Sequence, residues 1–348
     1  MTISLRKPDD FHIHLRQDDM LPFTLKHAAN NFGRVLVMPN VLPPLTHTTH
    51  VIKYYNDIQH HLQKNNWQLQ CLMTLYLTEE TTVDDIIEAK ESGIIYACKL
   101  YQTRDTNANF GVNMSKIDSL FKVFEKMSEL SIILCIHGEL NTHDIDIFDR
   151  ECKFVSNVLP EIIHKFPNLK VILEHITTKE SVDFVKSESK NVAATITPQH
   201  LLCNRNHIFE GGIRPHYYCL PILKRREDQE ALIEAATSGN EKFFIGTDSA
   251  PHTKDKKETS CGCAGCFTGY NPVELYLEVF EQYGKLDNIE KFVSINGANF
   301  YNIPVAQEYV NYEKKSSFIP NAFEVDSQHT VVPFLSGKNT TYTKVCNL

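Results

Sequence analysis

Short apolar runs recur along the chain, and most of them end in polar residues that can carry chemistry. Most of the runs are too short for helices and are rich in β-branched and aromatic side chains, which favours strands. Because the runs are continuously apolar, they are typical of strands buried on both faces, as in a parallel sheet. The eight runs are Phe11–Arg16, Arg34–Asn40, Leu69–Leu77, Ala97–Tyr101, Ser131–Glu139, Lys170–Thr178, Val192–His200 and Phe243–His252.

Helical patterns fill most of the gaps between the runs. Asp118–Leu130 places its large apolar residues on one face, and Val155–Phe166 and Glu227–Thr237 have a similar pattern. Strands that alternate with helices predict an α/β fold, a (β/α)8 TIM barrel with its active site at the C-terminal ends of the strands. A doubly wound open sheet is the alternative, but the Gly-rich turn typical of nucleotide-binding sheets is absent after the first run.

The whole chain, residues 1–348, is predicted to be one catalytic domain. After about Pro304 the chain becomes polar, and it returns to an apolar segment at Val331–Leu335. Residues 304–348 therefore read as a C-terminal extension that packs on the barrel, and a second domain is not expected.

Composition and charge narrow the class of protein. The chain has 348 residues, 42% of them hydrophobic, and a formal net charge of −8, which argues against general binding to nucleic acids or anionic membranes. The sequence has neither the apolar core of a signal peptide at its N-terminus nor a run of about 18 apolar residues. We therefore expect a cytoplasmic protein, in which the ten cysteines are reduced thiols.

Residues with ligand chemistry collect at the ends of the predicted strands. Two histidines two positions apart on one strand point to the same face, although such a pair by itself could be hydrogen-bonded surface residues. A lysine inside an apolar strand is costly unless it is paired or chemically changed. Imidazole and carboxylate side chains together favour zinc or a similar divalent ion. The candidate ligands are His12, His14, Lys99, His137, His175 and Asp248.

The motifs that carry these residues resemble a known family. HIHLR, ACKLY, IHGE, LEHIT and GTDSAPH, in that order, look like the amidohydrolase superfamily. PDDFHIHLR, VMPN, EHITT, TPQHL, RPHYYCLPILKR, GTDSAPH and CGCAGCF together resemble the single-domain bacterial dihydroorotases of pyrimidine biosynthesis. The resemblance runs from about Arg6 to about Tyr301, and it implies reversible cyclisation of N-carbamoyl-L-aspartate to (S)-dihydroorotate and water by a homodimer.

The resemblance also implies a two-metal site. His12 and His14 match the ligands of the more buried metal, and His137 and His175 match those of the second. Lys99 matches a lysine that the family converts to N6-carboxylysine. Two Zn²⁺ ions per subunit would then be bridged by this carboxylated lysine and by a hydroxide.

Further roles are implied for the catalytic base and for substrate contacts. Asp248 matches a metal ligand that is also the general acid and base. Arg16, Asn40 and His252 match groups that hold the substrate carboxylate, and Leu220 and Ala264 match positions that reach the substrate amides through their backbones. The implied substrate-binding residues are His14, Arg16, Asn40, His137, Leu220, His252 and Ala264.

Some interpretations stay open. Cys219, Cys261, Cys263 and Cys266 could form a separate four-thiolate zinc site, although a Gly-rich loop of reduced thiols is the preferred interpretation.

The polar segment 102–112 is typical of a lid, and either Thr103 or Thr106 could touch substrate there. Glu139 and Glu174 could each orient a ligand imidazole, although for Glu139 we expect a solvated or ion-paired side chain instead.

Other functions share much of this pattern. Another cyclic-amide hydrolase, such as a hydantoinase or an allantoinase, would use the same ligands but would not need a carboxylate site. A one-metal deaminase leaves Lys99 without a role. A catalytically silent barrel acting as a binding subunit should have lost one of the six candidate ligands.

Overall fold

The apolar runs form a parallel sheet whose strands follow one another in chain order. This computed structural model describes residues 1–102 and 111–345, and it begins with β1 (Thr2–Arg6), which lies outside the barrel. The barrel strands are β2 (Asp9–Ile13), β3 (Arg34–Val37), β4 (Gln70–Tyr76), β5 (Ile95–Leu100), β6 (Ile133–Ile136), β7 (Val171–Leu173), β8 (Val192–Ile196) and β9 (Phe243–Ile245).

The barrel closes between its first and last strands. Every neighbouring pair from β2 to β9 is parallel. Beyond the end of β9, Ser249 bridges in parallel to Ile13 of β2, which brings the last strand back to the first. The predicted (β/α)8 TIM barrel is therefore confirmed.

Helices surround this barrel and separate its strands along the chain. The described helices are α1 (Met20–Asn31), α2 (Thr48–Lys64), α3 (Val83–Glu91), α4 (Phe121–Leu130), α5 (Arg150–Asn157), α6 (Leu159–Lys165), α7 (Lys179–Ser187), α8 (Pro198–Leu202), α9 (Asn206–Phe209), α10 (Arg226–Thr237), α11 (Lys254–Lys257), α12 (Pro272–Gln282) and α13 (Asn296–Phe300). Short 3-10 turns occur at Met114–Leu120, Pro215–Tyr217 and Leu286–Asn288, and a π-helical turn at Lys291–Ile295. Among the described residues, no helix is long and apolar enough to cross a membrane.

Two helix predictions need adjustment. The predicted helix Val155–Phe166 is two helices, α5 and α6, because Pro160 has no backbone N–H to continue the first one. The predicted helix that starts at Asp118 begins as a 3-10 turn and becomes α-helical only at Phe121.

Both faces of the barrel strands are buried, which explains their continuous apolar pattern. Along β6, Ile133 and Cys135 belong to one core cluster, while Leu134 and Ile136 belong to the other. The first cluster fills the barrel, and the second lies between the barrel and the helices. Ala97 of β5 belongs to the inner cluster, so Lys99, two residues later, also points into the barrel.

The C-terminal segment returns to the start of the chain. Its short strands are β10 (Tyr309–Glu313), β11 (Ser317–Phe318), β12 (Phe323–Glu324), β13 (Thr330–Val331), β14 (Asn339–Thr340) and β15 (Thr343–Lys344). Strand β10 lies between β1 and β15 in an antiparallel sheet outside the barrel. Of the apolar segment Val331–Leu335, only Val331 is in a strand, and Phe334 packs on Tyr217.

Candidate active site

Two histidines and an aspartate meet where the first and last barrel strands close. His14 Nε2 lies 3.0 Å from Asp248 Oδ1, and His12 Nε2 lies 3.3 Å from the same oxygen. One ligand atom from each of the three residues lies within 4.8 Å of the others, and all three side chains are buried. The backbone assists, because the Asp248 N–H donates to the His12 carbonyl at 2.9 Å. This group has the composition and spacing of a metal site.

A second pair of histidines lies beside this group. His137 Nδ1 and His175 Nε2 are 3.3 Å apart, and the His175 ring centroid is 4.9 Å from that of His12. Burial lowers the pKa of His137 and lowers that of His175 further, so both imidazoles are neutral near pH 7. A neutral imidazole has a free lone pair, which is the form that binds metals. The structure thus brings together all four predicted histidine ligands.

Lys99 completes the cluster from inside the barrel. Its side chain has no exposed surface, and its Nζ has no hydrogen-bond partner within residues 1–102 and 111–345. Its Nζ lies 5.3 Å from the centroid of the Tyr101 ring. Burial lowers the Lys99 pKa, since a desolvated ammonium is unfavourable.

Buried carboxylates fix the orientation of the histidine rings. Glu174 Oε2 lies 2.8 Å from His12 Nδ1 and accepts a hydrogen bond from Thr195 Oγ1 at 2.5 Å. Glu139 Oε2 lies 2.7 Å from His137 Nε2. These contacts leave His12 Nε2 and His137 Nδ1 facing the centre of the cluster. The interpretation of Glu139 as a solvated residue is wrong, because its side chain is 1% exposed. It pairs with His137 instead, which agrees with the ion-paired alternative.

Asp10 is a site residue that the sequence reasoning missed. Its Oδ1 accepts the His12 N–H at 3.1 Å and the Thr247 N–H at 2.9 Å, and its Oδ2 accepts the Thr247 hydroxyl at 2.5 Å. The carboxyl therefore joins β2 to the segment that carries Asp248. The Asp10 side chain is fully buried, which is rare for a carboxylate without partners. The sequence signal that could have revealed it is an acidic residue directly before the apolar run that starts at Phe11.

A cavity lies at Arg16, two residues after His14. It has a volume of about 290 Å³, and Arg16, Asn40 and His252 contribute to its lining. Arg16 Nε donates to the Pro251 carbonyl at 3.0 Å, and Arg16 Nη2 lies 3.1 Å from His252 Nε2. Burial lowers the His252 pKa to about 3, so this nitrogen is an acceptor at neutral pH. The buried Asn40 Oδ1 has no hydrogen-bond partner in the described part of the chain.

The loops that contain Leu220 and Ala264 lie side by side. The Gly265 N–H donates to the Tyr218 carbonyl at 2.9 Å, and the His252 ring interacts with the Ala264 backbone. Ala264 is thus close to His252 of the cavity, and the segment that leads to Leu220 meets the segment that follows Ala264. The two candidate lid residues, Thr103 and Thr106, lie outside the described residues.

The cysteines of this region do not assemble as a metal site. Cys219 Sγ donates to the Pro221 carbonyl and Cys266 Sγ to the His216 carbonyl, while Cys261 is exposed. Within residues 1–102 and 111–345, the single group of three or more His, Cys, Asp or Glu ligand atoms at metal-binding spacing is the one that contains Asp248. The nine cysteines described are free.

Comparisons with known proteins agree with this site. The model of the amidohydrolase family matches residues 10–307. The chain belongs to the amidohydrolase family. A dihydroorotase of Aliivibrio fischeri (strain ATCC 700601 / ES114) is 49% identical over 338 residues, which are 97% of both chains.

Solved structures place the chain more narrowly within this family. A dihydroorotase from Saccharomyces cerevisiae, in complex with 5-fluoroorotic acid, has a TM-score of 0.90 at 30% identity and covers 99% of this chain and 98% of its own. A dihydroorotase from Campylobacter jejuni has a TM-score of 0.89 at 34% identity, and the match covers 99% of this chain and 97% of that protein. Within the amidohydrolase family the chain belongs to the dihydroorotases, and it is a cyclic-amide hydrolase.

Proposed function

We propose that this protein interconverts N-carbamoyl-L-aspartate and (S)-dihydroorotate in pyrimidine biosynthesis. The observation that carries the proposal is a buried cluster of metal-type ligands together with Arg16, which interacts electrostatically with Asp248 and lines a cavity with Asn40 and His252. Dihydroorotate is a cyclic amide with a carboxylate, and these two features match the two halves of the site. A hydantoinase or an allantoinase would use the same ligand cluster, but its substrate ring has no carboxylate for the cavity to bind.

The ligand cluster fits two zinc ions. Lys99 Nζ is buried without a hydrogen-bond partner among the described residues, His12 Nε2 and His14 Nε2 both face Asp248 Oδ1, and His137 Nδ1 and His175 Nε2 face each other. Donor atoms in such a setting gain partners when divalent ions bind. When bound, the zinc ions polarise a carbonyl and make water a stronger acid. We assign the metals to His12, His14, Lys99, His137, His175 and Asp248.

Lys99 would act as a carboxylated residue. An unmodified ammonium would add a positive charge to a site built for cations, which is unfavourable in a buried setting. The lowered Lys99 pKa favours the neutral amine, and this is the form that reacts with CO₂. N6-carboxylation replaces the positive charge with an anion that offers two oxygen ligands.

Asp248 would move the proton during catalysis. Although burial opposes ionisation, hydrogen bonds from His12 and His14 hold its pKa well below the usual range, so it is a carboxylate at neutral pH. In hydrolysis, water adds to the ring carbonyl carbon, and Asp248 accepts a water proton. Asp248 then gives that proton to the ring nitrogen as the carbon–nitrogen bond breaks. Cyclisation runs through the same steps in reverse.

The cavity at Arg16 would bind the substrate carboxylate. Two contacts already direct the Arg16 guanidinium, so its remaining donors are available to a carboxylate. Asn40 and His252 line the same space, and the Leu220 and Ala264 backbones would contact the substrate amides. His14 and His137 would also contact the substrate from the metal side. This pocket gives an acidic protein a local site for an anion.

We also propose the wider properties that the resemblance implies. The chain would be one catalytic domain over residues 1–348, with 304–348 as an extension packed on the barrel. It would work in the cytoplasm as a homodimer on a small molecule, without nucleic acid or membrane partners.

Substrate assays test the main proposal. The purified enzyme should hydrolyse dihydroorotate and leave hydantoin and allantoin largely unchanged. Activity should disappear after chelation and return when Zn²⁺ is added. Preference for hydantoin or allantoin, or full dihydroorotate turnover after complete metal removal, would refute it.

A further inference from the structure

One lysine outside the metal cluster is buried in an unusual setting. Lys257 ends α11, a short helix after β9, and it is 3% exposed, whereas Lys254 and Lys256 of the same helix are exposed. Its Nζ donates to three backbone carbonyls, those of Tyr218 at 2.9 Å, Cys263 at 2.7 Å and Gly265 at 2.8 Å. An ammonium has three N–H donors, so backbone oxygens occupy all of them.

The three acceptors belong to two loops that are far apart in sequence. Tyr218 lies two residues before Leu220, while Cys263 and Gly265 are the neighbours of Ala264. The Gly265 N–H also donates to the Tyr218 carbonyl, so the loops already meet at this point. Lys257 therefore joins both segments to which the substrate-contacting backbones belong.

The contact with Cys263 also orients Ala264. The peptide bond between them is trans, so its C=O and N–H point in opposite directions. Because the Cys263 carbonyl points at Lys257 Nζ, the Ala264 N–H must point away from the lysine. The peptide group between Ala264 and Gly265 is held by the bond from the Gly265 N–H to the Tyr218 carbonyl, and Lys257 holds the next peptide group through the Gly265 carbonyl.

The charge of Lys257 is not cancelled by a carboxylate. In the described part of the chain no acidic oxygen lies within 4.0 Å of its Nζ, and the ammonium is close enough to interact with Arg16 and His252. Three carbonyl dipoles stabilise the cation, which is a positive charge close to Arg16 and His252.

We propose that Lys257 is a positioning residue for substrate binding. It holds the 218–220 and 263–265 backbones in the geometry that binds the substrate amides, and its charge favours an anion next to Arg16. This inference rests on the proposed dihydroorotase activity. It assigns Lys257 no direct contact with the substrate or with a metal.

Kinetics of matched variants test the proposal. Lys257→Met keeps the length of the side chain but removes its donors and charge, and Lys254→Met is the control on the exposed face of the same helix. For Lys257→Met we expect KM for dihydroorotate to rise roughly tenfold or more, with kcat within about threefold and metal content unchanged. Orotate binding, measured by calorimetry, should weaken by a similar factor. Lys254→Met should match the wild type.

Other outcomes have distinct meanings. A folded Lys257→Met enzyme with KM and orotate affinity within about twofold of the wild type overturns the proposal. So does a variant that loses kcat and metal together while KM stays constant. If Lys257→Met does not fold, Lys257→Arg is judged by the same criteria, because its planar fork cannot reproduce three converging bonds. A wild-type enzyme inactive on dihydroorotate would refute the proposed function itself.

Discussion

Two basic residues, Arg16 and Lys99, lie beside the histidine cluster, and their surroundings decide what each can do. Arg16 has oriented contacts with the Pro251 carbonyl and with His252, and it faces a cavity. Lys99 has neither solvent nor a hydrogen-bond partner among the described residues. The first is therefore suited to bind an anion, and the second is suited to chemical modification.

Replacing Arg16 tests carboxylate recognition. Arg16→Met should reduce kcat/KM for dihydroorotate by the equivalent of about 2–5 kcal/mol, because a charge-assisted contact is lost. Metal content, measured by atomic absorption, should not change. Arg226→Met, at an exposed position on α10, is the control. Unaltered dihydroorotate kinetics in Arg16→Met would exclude the assigned role.

Replacing Lys99 tests its carboxylation. Lys99→Ala should lose the paired metals and nearly all activity, and short carboxylic acids should partly restore both by filling the vacated space. Lys99→Arg should not be active, because a guanidinium stays cationic and cannot form the carbamate. Metal content and turnover with and without added acetate provide the readout. A Lys99→Ala enzyme with full metal and normal turnover would contradict this prediction.

At the scale of elements, the site depends on how the chain leaves each strand. Arg16, His175 and Asp248 have φ values of 61°, 42° and 46°, in the left-handed region that non-glycine residues rarely adopt. Such strain persists only where surrounding contacts hold it. Near His175 those contacts come from Glu151 of α5. Its buried carboxylate accepts hydrogen bonds from the backbone and hydroxyl groups of Thr177 and Thr178 and from Ser181 Oγ.

Removing this carboxylate should weaken both the fold and the site. Glu151→Ala leaves several buried donors without partners, so we expect the free energy of unfolding to fall by about 2–4 kcal/mol. Urea unfolding measures this change. Glu161→Ala, at an exposed position of α6, should change stability by less than about 0.5 kcal/mol. Equal stability of the two variants would show that Glu151 does not anchor this loop.

At the scale of the whole molecule, the two ends of the chain meet on the outside of the barrel. Strand β10 pairs with β1 and β15, and the Lys344 N–H of β15 donates to Glu274 of α12 at 3.2 Å. Glu274 is buried, its other oxygen has no hydrogen-bond partner among the described residues, and burial raises its pKa to about 7. Folding therefore keeps the Glu274 carboxyl group, at the contact between α12 and β15, protonated up to about pH 7.

This raised pKa predicts a pH-dependent stability. Below pH 4.5 the carboxyl is protonated in both states and contributes nothing. Between pH 4.5 and about 7 the unfolded chain releases the proton while the folded chain keeps it, so the free energy of unfolding falls as pH rises.

Glu274→Gln should remove this effect. Its stability gain over the wild type should grow from near zero at pH 4.5 to about 1–3 kcal/mol at pH 8. Thermal unfolding across that range gives the comparison. Glu281→Gln is the control, because Lys314 lowers the Glu281 pKa and no gain at high pH is expected there. A constant difference between Glu274→Gln and the wild type at all pH values would rule out this account.

The sequence by itself determined the barrel and its candidate ligands. Burial on both faces makes parallel strands continuously apolar, so the runs were recognisable without long-range information. Residues such as His137 and Asp248 stand out because polar side chains that follow such runs must gather at one edge of the sheet. The signal for the helix break, Pro160, is also local in the sequence, but the continuous apolar pattern of Val155–Phe166 concealed it.

Only the tertiary structure decided which groups support those ligands. Asp10, Glu151 and Lys257 each join segments that are distant in the sequence, so spacing alone does not show which segments they connect. Burial also changed the interpretation of Glu139, since exposure depends on what packs over a residue and not on its neighbours in the chain. Local pattern therefore predicts where chemistry collects, whereas long-range packing determines how each group is oriented and charged.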